Sequence, residues 1–293
     1  MVHPFTMDLR ALHRTRYVYS SPVTDSFNEV RLRPATDDPK RLLSHLLKVN
    51  PPCRLRHRRD GFHNYVQWFE LPGPQSELII EATSRVRTTS QYLNGRPDGV
   101  AWATIATGEH TDMMRPFLNS SRYITVDQHI WRLAVDAVPI PIGVFETAEA
   151  IMGFIHGNWT YAPNTTSATT HMTALIADRR GVCQDFAHLM IGMCRSLGIP
   201  ARYVSGYLYN GPMDSLRGAQ ASHAWCEVWL PGSGWFGLDP TNLTLADERY
   251  IKIATGRDYD DAAPIRGTFN GPPNATLALE VTVEIEEYQP ATP

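Results

Sequence analysis

One cysteine of the sequence occupies a position where a thiol could act as a nucleophile. Cys183 lies in the run GVCQDFAHLMIGMCRSLGIP, at the predicted first turn of a helix. The free N–H groups and partial positive charge of a helix N-terminus favour a thiolate, which is the reactive form of cysteine. Arg179 and Arg180 add positive charge nearby. The competing interpretation is structural, because Cys183 is also the first residue of the apolar stripe on this helix.

A histidine and an aspartate follow in two segments that have the pattern of adjacent strands. His223 lies in ASHAWCEVWL, and a short turn leads into WFGLDPTN, where Asp239 ends the second strand. An antiparallel pair joined in this way can bring the acid close to the imidazole. We expect Asp239 to accept the Nδ1–H of His223 and to leave Nε2 for the thiol of Cys183. Taken alone, His223 could be a structural strand residue, and Asp239 a turn residue before Pro240.

Three further side chains could stabilise an oxyanion or contact a substrate. The backbone N–H of Cys183 is the expected first oxyanion donor, and the second is the side chain of Gln184 or that of Trp159. Trp225 shares a strand face with His223 and could line a substrate groove. Any of the three could instead serve packing, because large aromatic side chains usually fill a core.

The other cysteines and one nearby histidine are expected to be structural. Cys194 and Cys226 lie on apolar faces of the predicted helix and strand, and Cys53 belongs to the N-terminal strands. His188 lies roughly 140° around the helix from Cys183, at 3.6 residues per turn. No Cys/His spacing resembles a zinc site, and the acidic cluster at residues 258–261 is interpreted as a solvated loop. We therefore predict no metal and no cofactor.

The bulk composition limits the class of protein. The chain has 293 residues, 43% of them hydrophobic, and a net charge of −3, which is typical of a globular protein and argues against a nucleic-acid partner. No stretch reaches the ~18 consecutive apolar residues of a membrane span. The N-terminus has no apolar run that could form the core of a signal peptide, so we predict a cytoplasmic protein with no membrane partner.

The elements that must position these residues fall into two predicted domains. Residues 1–95 contain alternating segments rich in Val, Ile, Tyr and Thr, separated by turn residues, which predict a small β-sandwich-like domain. Helical periodicity begins after Gly99, so residues 96–293 are predicted to form a mixed catalytic domain. The last alternating run, from Thr276 to Tyr288, is expected to join the sheet of that second domain.

Together the motifs resemble the transglutaminase-like superfamily, in its bacterial branch with an N-terminal β domain. The resemblance rests on GVCQDFAHLMIGMCRSLGIPARYVSGY and ASHAWCEVWLPGSGWFGLDPTN, and more weakly on RLRP, YVQWF and GRDYDDAAPIRGTFNG. It implies an α+β, papain-like core in which a nucleophile helix packs on an antiparallel sheet. It also implies that Cys183 is the nucleophile, His223 the general base and acid, and Asp239 the orienting group.

The activity implied by this resemblance is acyl chemistry at an amide bond of a peptide or protein, through a covalent acyl-enzyme. Animal transglutaminases carry Gln before and Trp after the nucleophile, whereas this chain has Val182 and Gln184. This departure favours hydrolysis by a cysteine peptidase or amidase over crosslinking. An amine acyltransferase stays open, as does a non-catalytic scaffold on the same fold.

Overall fold

The computed structural model describes residues 6–36, 41–92, 95–106, 111–138, 143–163, 170–211, 217 and 222–288. Within these ranges the strands are β1 (Thr6–Val30), β2 (Arg41–Asn50), β3 (Arg56–Arg59), β4 (Tyr65–Leu71), β5 (Gln75–Thr89), β6 (Thr160–Tyr161), β7 (Arg180–Gly181), β8 (Ala201–Leu208), β9 (His223–Leu230), β10 (Gly234–Asp239), β11 (Thr244–Leu245), β12 (Tyr250–Gly256), β13 (Ile265–Asn270) and β14 (Leu277–Glu287).

The helices of the same ranges are α1 (Trp102–Ala106), α2 (Thr111–Met114), α3 (Gln128–Ala137), α4 (Val144–Asn158), α5 (Met172–Asp178), α6 (Cys183–Ser196) and α7 (Tyr259–Ala262), with one 3₁₀ turn at Arg115–Phe117. None of these helices is both long and apolar enough to cross a membrane.

One long strand holds the N-terminal β unit together. The first half of β1 pairs with β5 and β14, and its second half pairs with β4 and β13, all antiparallel. The register with β5 shifts between Val18 and Val23, and Asp25 takes a left-handed φ of 50°. These irregularities bend β1, because a bulge tilts and twists the strand that carries it. The bent strand therefore takes part in two sets of strand pairs within one seven-stranded sheet, and the predicted β-rich character of this unit is confirmed.

The last strand lies in the N-terminal unit, and the prediction that it would join the second sheet was wrong. β14 pairs with β1 along its whole length, from Leu9 opposite Glu287 to Tyr19 opposite Leu277. Sequence alternation identifies a strand with one apolar face, but its neighbour is chosen by the tertiary packing of that face, here Val283 and Ile285 in the apolar cluster of the N-terminal unit. The sheet expected within residues 1–95 therefore also takes residues 265–287.

The second unit is built on a five-stranded antiparallel sheet with the order β11-β10-β9-β8-β12. Helix α6 packs on one face of it, where Phe186, Met190 and Cys194 join Cys226 and Val228 in the core. Helices α3, α4 and α5 surround α6 on its other sides. This is the α+β arrangement of a nucleophile helix on an antiparallel sheet, and the predicted fold class is confirmed.

The two units share a core. Tyr207, Ile251 and Ile253 from the second sheet pack in the same apolar cluster as Leu9 and Ala11 of β1. Elsewhere along this boundary, Asn64 exchanges two hydrogen bonds with the backbone of Thr255, at 2.7 and 2.8 Å. Because apolar packing and hydrogen bonds both cross the boundary, the two units pack as one body.

Candidate active site

The nucleophile position is set by the way the chain enters α6. The backbone N–H of Val182 donates to the buried carboxylate of Asp185 at 2.8 Å, and the helix begins at Cys183. A Cβ on Gly181 would lie 2.7 Å from that carboxylate and 2.8 Å from the side chain of Leu175. A larger residue here would force the side chain of Asp185 or Leu175 to shift, and Asp185 is the residue that accepts from the backbone at the helix start. Cys183 is buried, with 5% of the residue exposed.

The first two backbone N–H groups of α6 are available to an incoming ligand. Within the described residues, the N–H groups of Cys183 and Gln184 donate to no protein acceptor. Such groups carry the positive end of the helix dipole and suit a developing oxyanion. The expected backbone donor at Cys183 is thus free in the structure, and the N–H of Gln184 lies next to it.

The predicted histidine and aspartate meet in a fully buried ion pair. Nε2 of His223 lies 2.7 Å from Oδ2 of Asp239, and both side chains have no solvent exposure. His223 begins β9 and Asp239 ends β10, and these two strands form the predicted antiparallel hairpin. The contact uses Nε2, so the expectation that Nδ1 would face the acid was wrong. Strand spacing places the ring near the acid, but the rotation of the ring is decided by the side chains packed around it.

The remaining ring nitrogen is left for the nucleophile. Nδ1 of His223 is buried and has no partner in strict hydrogen-bonding geometry among the described residues. Burial alone would lower the pKa of the imidazole, but the charge and hydrogen bond of Asp239 and the neighbouring Cys183 sulfur raise it to about 10. The imidazolium is thus the favoured form of His223, and Nδ1 is the ring atom that would exchange a proton with the nucleophile.

Asp239 is held by a shell that the sequence motifs did not reveal. Its Oδ2 also accepts from the hydroxyl of Tyr250 and from Nδ2 of Asn242, both at 2.8 Å. Its Oδ1 accepts from the backbone N–H of Thr241 at 2.9 Å. Burial would raise the pKa of this carboxyl, yet His223 and these donors hold the pKa below its ordinary value. The DPTN turn of the sequence indicated that Asn242 lies close to Asp239. No local pattern indicated Tyr250, which comes from β12.

Trp225 supports the imidazole and has no surface for a substrate. Its ring stacks on His223, with centroids 6.3 Å apart, and meets Tyr250 edge-on at 5.2 Å. It is fully buried, and a Cβ on Gly206 would come within 2.5 Å of its ring. The groove role proposed for Trp225 is therefore wrong, because the neighbouring strand β8 closes over this indole.

Of the two suggested side-chain oxyanion donors, one is already engaged. The indole N–H of Trp159 donates to the backbone oxygen of Leu175 at 3.0 Å, and the ring lies in the core. Trp159 therefore serves packing. Gln184 is partly exposed at the second residue of α6 and stays a candidate.

A tyrosine that the motifs did not single out forms part of the wall near the nucleophile. Tyr161 pairs in parallel with Gly181, two residues before Cys183, and its ring meets Phe186 edge-on at 6.5 Å. Burial, followed by the charges of Cys183 and Asp239, raises the pKa of Tyr161 to about 12. Its phenol therefore stays protonated near the site and can donate a hydrogen bond there.

The three cysteines and the histidine that the sequence predicts to be structural lie away from the nucleophile. Cys194 and Cys226 are fully buried, and burial raises the pKa of the Cys226 thiol. Cys53 is partly buried in the N-terminal unit, and burial raises its pKa as well. His188 accepts a hydrogen bond from the backbone N–H of Tyr259 inside the core. None of the four takes part in the site around Cys183.

The acidic cluster of residues 258–261 is used by the fold. Asp258 caps α7 and accepts from the backbone N–H of Tyr123 at 3.0 Å. Asp260 pairs with Arg122 and Arg266, and Asp261 pairs with Arg257. In the described residues no three His, Cys, Asp or Glu side chains converge as metal ligands.

The fold brings Cys183, His223 and Asp239 together, and comparison with known proteins supplies the family. Residues 139–240 match the Transglutaminase-like superfamily, and residues 9–87 match the Bacterial transglutaminase-like N-terminal region. An uncharacterized Mycobacterium leprae protein is 34% identical over 284 residues, covering 94% of this chain and 98% of that protein. The chain belongs to the transglutaminase-like superfamily and carries its bacterial N-terminal region, which confirms the resemblance read from the motifs.

Two further relatives bear on activity. A structure of a proposed cysteine protease from Cytophaga hutchinsonii superposes with a TM-score of 0.77 at 25% identity, covering 98% of this chain and 93% of that one. A protein-glutamine gamma-glutamyltransferase of Pseudomonas aeruginosa is 36% identical over 96 residues, which cover 31% of this chain and 14% of that protein. The superfamily thus includes relatives named for both kinds of acyl chemistry.

Proposed function

We propose that this chain is a cysteine amidohydrolase, a peptidase or amidase, that cleaves an amide bond of a peptide or protein through an acyl-enzyme. The observation that carries the proposal is the imidazole of His223, which is held by Asp239 on one side and adjoins Cys183 on the other. A scaffold protein has no need of a buried, charged imidazole next to a thiol, since burying such a group is costly.

The geometry suggests how each proton would move. The thiolate of Cys183 attacks the amide carbonyl carbon, and the backbone N–H of Cys183 stabilises the oxyanion that forms. The imidazolium of His223 then gives its Nδ1 proton to the leaving amine, as the C–N bond breaks and a thioester remains. A water molecule next loses a proton to Nδ1 and attacks the thioester. Collapse of that intermediate releases a carboxylic acid and restores the thiolate.

Throughout this cycle Asp239 would orient the ring and balance its charge. Its hydrogen bond to Nε2 fixes the tautomer in which Nδ1 can accept a proton. Tyr250 and Asn242 hold the carboxylate in turn, so the acid has no freedom to rotate away. These two residues are proposed to position the site without touching the substrate.

The second candidate function is transfer of the acyl group to an amine. The same thioester would form, and a lysine-like amine would replace water in the second half of the reaction. The partial similarity to the Pseudomonas glutamyltransferase supports this candidate. The neighbours of the nucleophile, Val182 and Gln184, differ from the animal crosslinking enzymes and favour hydrolysis.

The experiment that tests the proposal is a peptide-library assay that follows hydrolysis and amine incorporation side by side. Cys183→Ala serves as the blank, because it removes the sulfur and leaves the helix start intact. Release of new amino termini without amine incorporation supports the hydrolase. Incorporation of the amine in preference to water supports the acyltransferase, and no Cys183-dependent product in either channel would favour the scaffold alternative.

A further inference from the structure

A cleft lies between the two units of the chain, and none of Cys183, His223 and Asp239 lines it. It has a volume of about 990 Å³, within the range of small-molecule sites. The N-terminal unit lines it with residues 33, 35–36, 59 and 62–65, and the second unit with residue 202 and residues 233–236 and 252–255. Residues 90–91 complete the lining.

The described walls of this cleft carry positive charge and no acid. Its four cationic residues come from both units, and no Asp or Glu stands among its described lining residues. They are Arg33, Arg59, Arg202 and Lys252. The buried Glu227 pairs with Arg202 and with Lys252, each at 2.6 Å. One carboxylate thus faces two of the cations.

The other two cations have no carboxylate partner among the described residues. The guanidinium of Arg33 lies over the ring of Tyr65, 4.2 Å from its centroid. Arg59 lies over the same ring at 5.5 Å and donates to the backbone oxygen of His63 at 2.7 Å. Stacking on a ring occupies the flat face of a guanidinium and leaves N–H donors at its edge.

Arg33 is partly buried, and its charge affects the pKa of a nearby histidine. His45 has its pKa lowered, first by burial and then by the positive charge of Arg33. Since no carboxylate among the described residues pairs with this half-buried cation, an anion placed in the cleft would recover part of the free energy that its burial costs. Guanidinium groups match the two oxygens of carboxylate and phosphate groups.

We propose that this interdomain cleft binds a small molecule that carries phosphate or carboxylate groups. Arg33 and Arg59 would hold the oxyanion through the N–H groups that remain at their edges, with Arg202 facing it from the second unit. The aromatic rings of Tyr65 and Trp235 keep the guanidinium groups in place, since Arg202 lies 4.2 Å from the Trp235 ring. This site is separate from the thiol centre and does not depend on the function proposed for it.

The structure offers a matched control for the test. Arg56 also stacks on an aromatic ring of the N-terminal unit, 4.7 Å from the centroid of Trp68, but it does not line the cleft. Arg56→Gln therefore removes a stacked guanidinium without touching the proposed site. Arg33→Gln and Arg59→Gln remove the two guanidinium groups that the proposal uses.

The test is isothermal titration calorimetry on the full chain with pyrophosphate, inorganic phosphate and citrate, each at low salt. At least one probe should bind, and its affinity should fall when NaCl rises from about 25 mM to about 300 mM. Arg33→Gln and Arg59→Gln should each weaken that binding about tenfold or more, whereas Arg56→Gln should change it less than about twofold. Preference for pyrophosphate or for citrate separates a phosphate ligand from a carboxylate one.

Two results would overturn the proposal. One is that none of the probes binds the wild-type chain, and the other is that Arg56→Gln weakens binding as much as Arg33→Gln does. The thermal midpoint of each variant is measured first. If Arg33→Gln is unfolded, Arg33→Lys replaces it, because lysine keeps the charge and loses the two-pronged geometry. In that case, unchanged binding in Arg33→Lys and in Arg59→Gln is a third result that would reject the site.

Discussion

Two buried ionic clusters lie on one face of strand β9, and they differ in what they leave unsatisfied. His223 pairs with Asp239, while Glu227 pairs with Arg202 and with Lys252, each at 2.6 Å. Both clusters remove charges from water, which costs free energy unless the partners are well placed. In the Glu227 cluster both carboxylate oxygens are matched by cations.

The His223 cluster leaves one nitrogen of the imidazole ring available for proton exchange. Asp239 is fully matched by its hydrogen-bond donors, yet Nδ1 of the imidazole has no partner in strict geometry among the described residues. Cys183 stands beside that ring. A cluster with every group satisfied stabilises a fold, and a cluster with one proton-carrying atom free can do chemistry. The predictions below test this contrast, from the largest expected effect to the smallest.

Removing the nucleophile should have the largest effect. With the best substrate from the library assay, Cys183→Ala should lower kcat by up to about 10⁶-fold, as in other enzymes whose triad nucleophile is removed. Its free energy of unfolding should stay close to that of the wild type, because the thiol is small and almost every neighbour is retained. Steady-state kinetics and urea unfolding check both parts. Residual turnover near the wild-type level would contradict the assigned role.

Removing the orienting acid should have the second largest effect on kcat. Asp239→Asn should lower kcat by up to about 10⁴-fold, the cost seen when serine proteases lose this group. We expect a somewhat smaller loss here, because a thiol ionises more easily than a hydroxyl. Asp247→Asn is a suitable control, since Asp247 lies in the same region and pairs with Arg249. If the two variants lose equal activity, Asp239 does not orient the catalytic ring.

Glu227→Gln should reverse this pattern and affect folding more than turnover. It leaves two cations facing a neutral amide, and breaking a buried ion pair costs roughly 3–5 kcal/mol. The free energy of unfolding should fall accordingly in urea titrations, while kcat of the folded fraction should change little. Glu280→Gln, which breaks an exposed pair with Arg16, is the control. If Glu227→Gln were stable but inactive, the Glu227 cluster would also serve turnover, and the distinction between the two clusters would be wrong.

Alkylation should reveal the same contrast without any substrate. Iodoacetamide at neutral pH should modify Cys183 at least about tenfold faster than Cys53, because only Cys183 combines a helix N-terminus with an imidazolium neighbour. His223→Ala should slow the labelling of Cys183 and leave Cys53 unchanged. Mass spectrometry of time points measures both rates. Equal rates, or labelling that ignores the loss of His223, would indicate that the triad is not assembled.

The two clusters should respond to pH from opposite sides. His223 has its pKa raised from 6.5 to about 10, so its contribution to stability is complete below pH 6.5 and is lost as the pH rises toward 10. Glu227 has its pKa lowered from 4.5 to about 2, so its contribution is complete above pH 4.5 and is lost as the pH falls toward 2. Each slope amounts to at most about 1.4 kcal/mol per pH unit.

Comparison with variants isolates each of these slopes from the other titrating groups. Between pH 6.5 and 9, the free energy of unfolding of the wild type should fall more steeply than that of His223→Gln. Between pH 4.5 and 2.5, it should fall more steeply than that of Glu227→Gln. Parallel curves in either window would show that the cluster concerned does not titrate as the structure implies.

Much of the site could be predicted because its signals are local. A cysteine at a helix start, a histidine at a strand start and an aspartate at the end of the next strand all follow from short-range patterns. The same holds for the buried cysteines and for His188, whose faces are set by helix and strand periodicity. Residues that approach from elsewhere in the fold were missed, as Tyr250 and Tyr161 illustrate, since no short pattern records a contact between distant segments.

The sequence by itself determined the three catalytic candidates, the nucleophile helix and the β character of the first 90 residues, because each depends on residue type and spacing along a few turns or one hairpin. Tertiary structure decided that β14 pairs with β1, that Trp225 lies beneath the imidazole, and that Nε2 rather than Nδ1 of His223 faces Asp239. The partner of a strand depends on which distant segments bury its apolar face, and the rotation of a buried ring depends on atoms contributed by several distant elements.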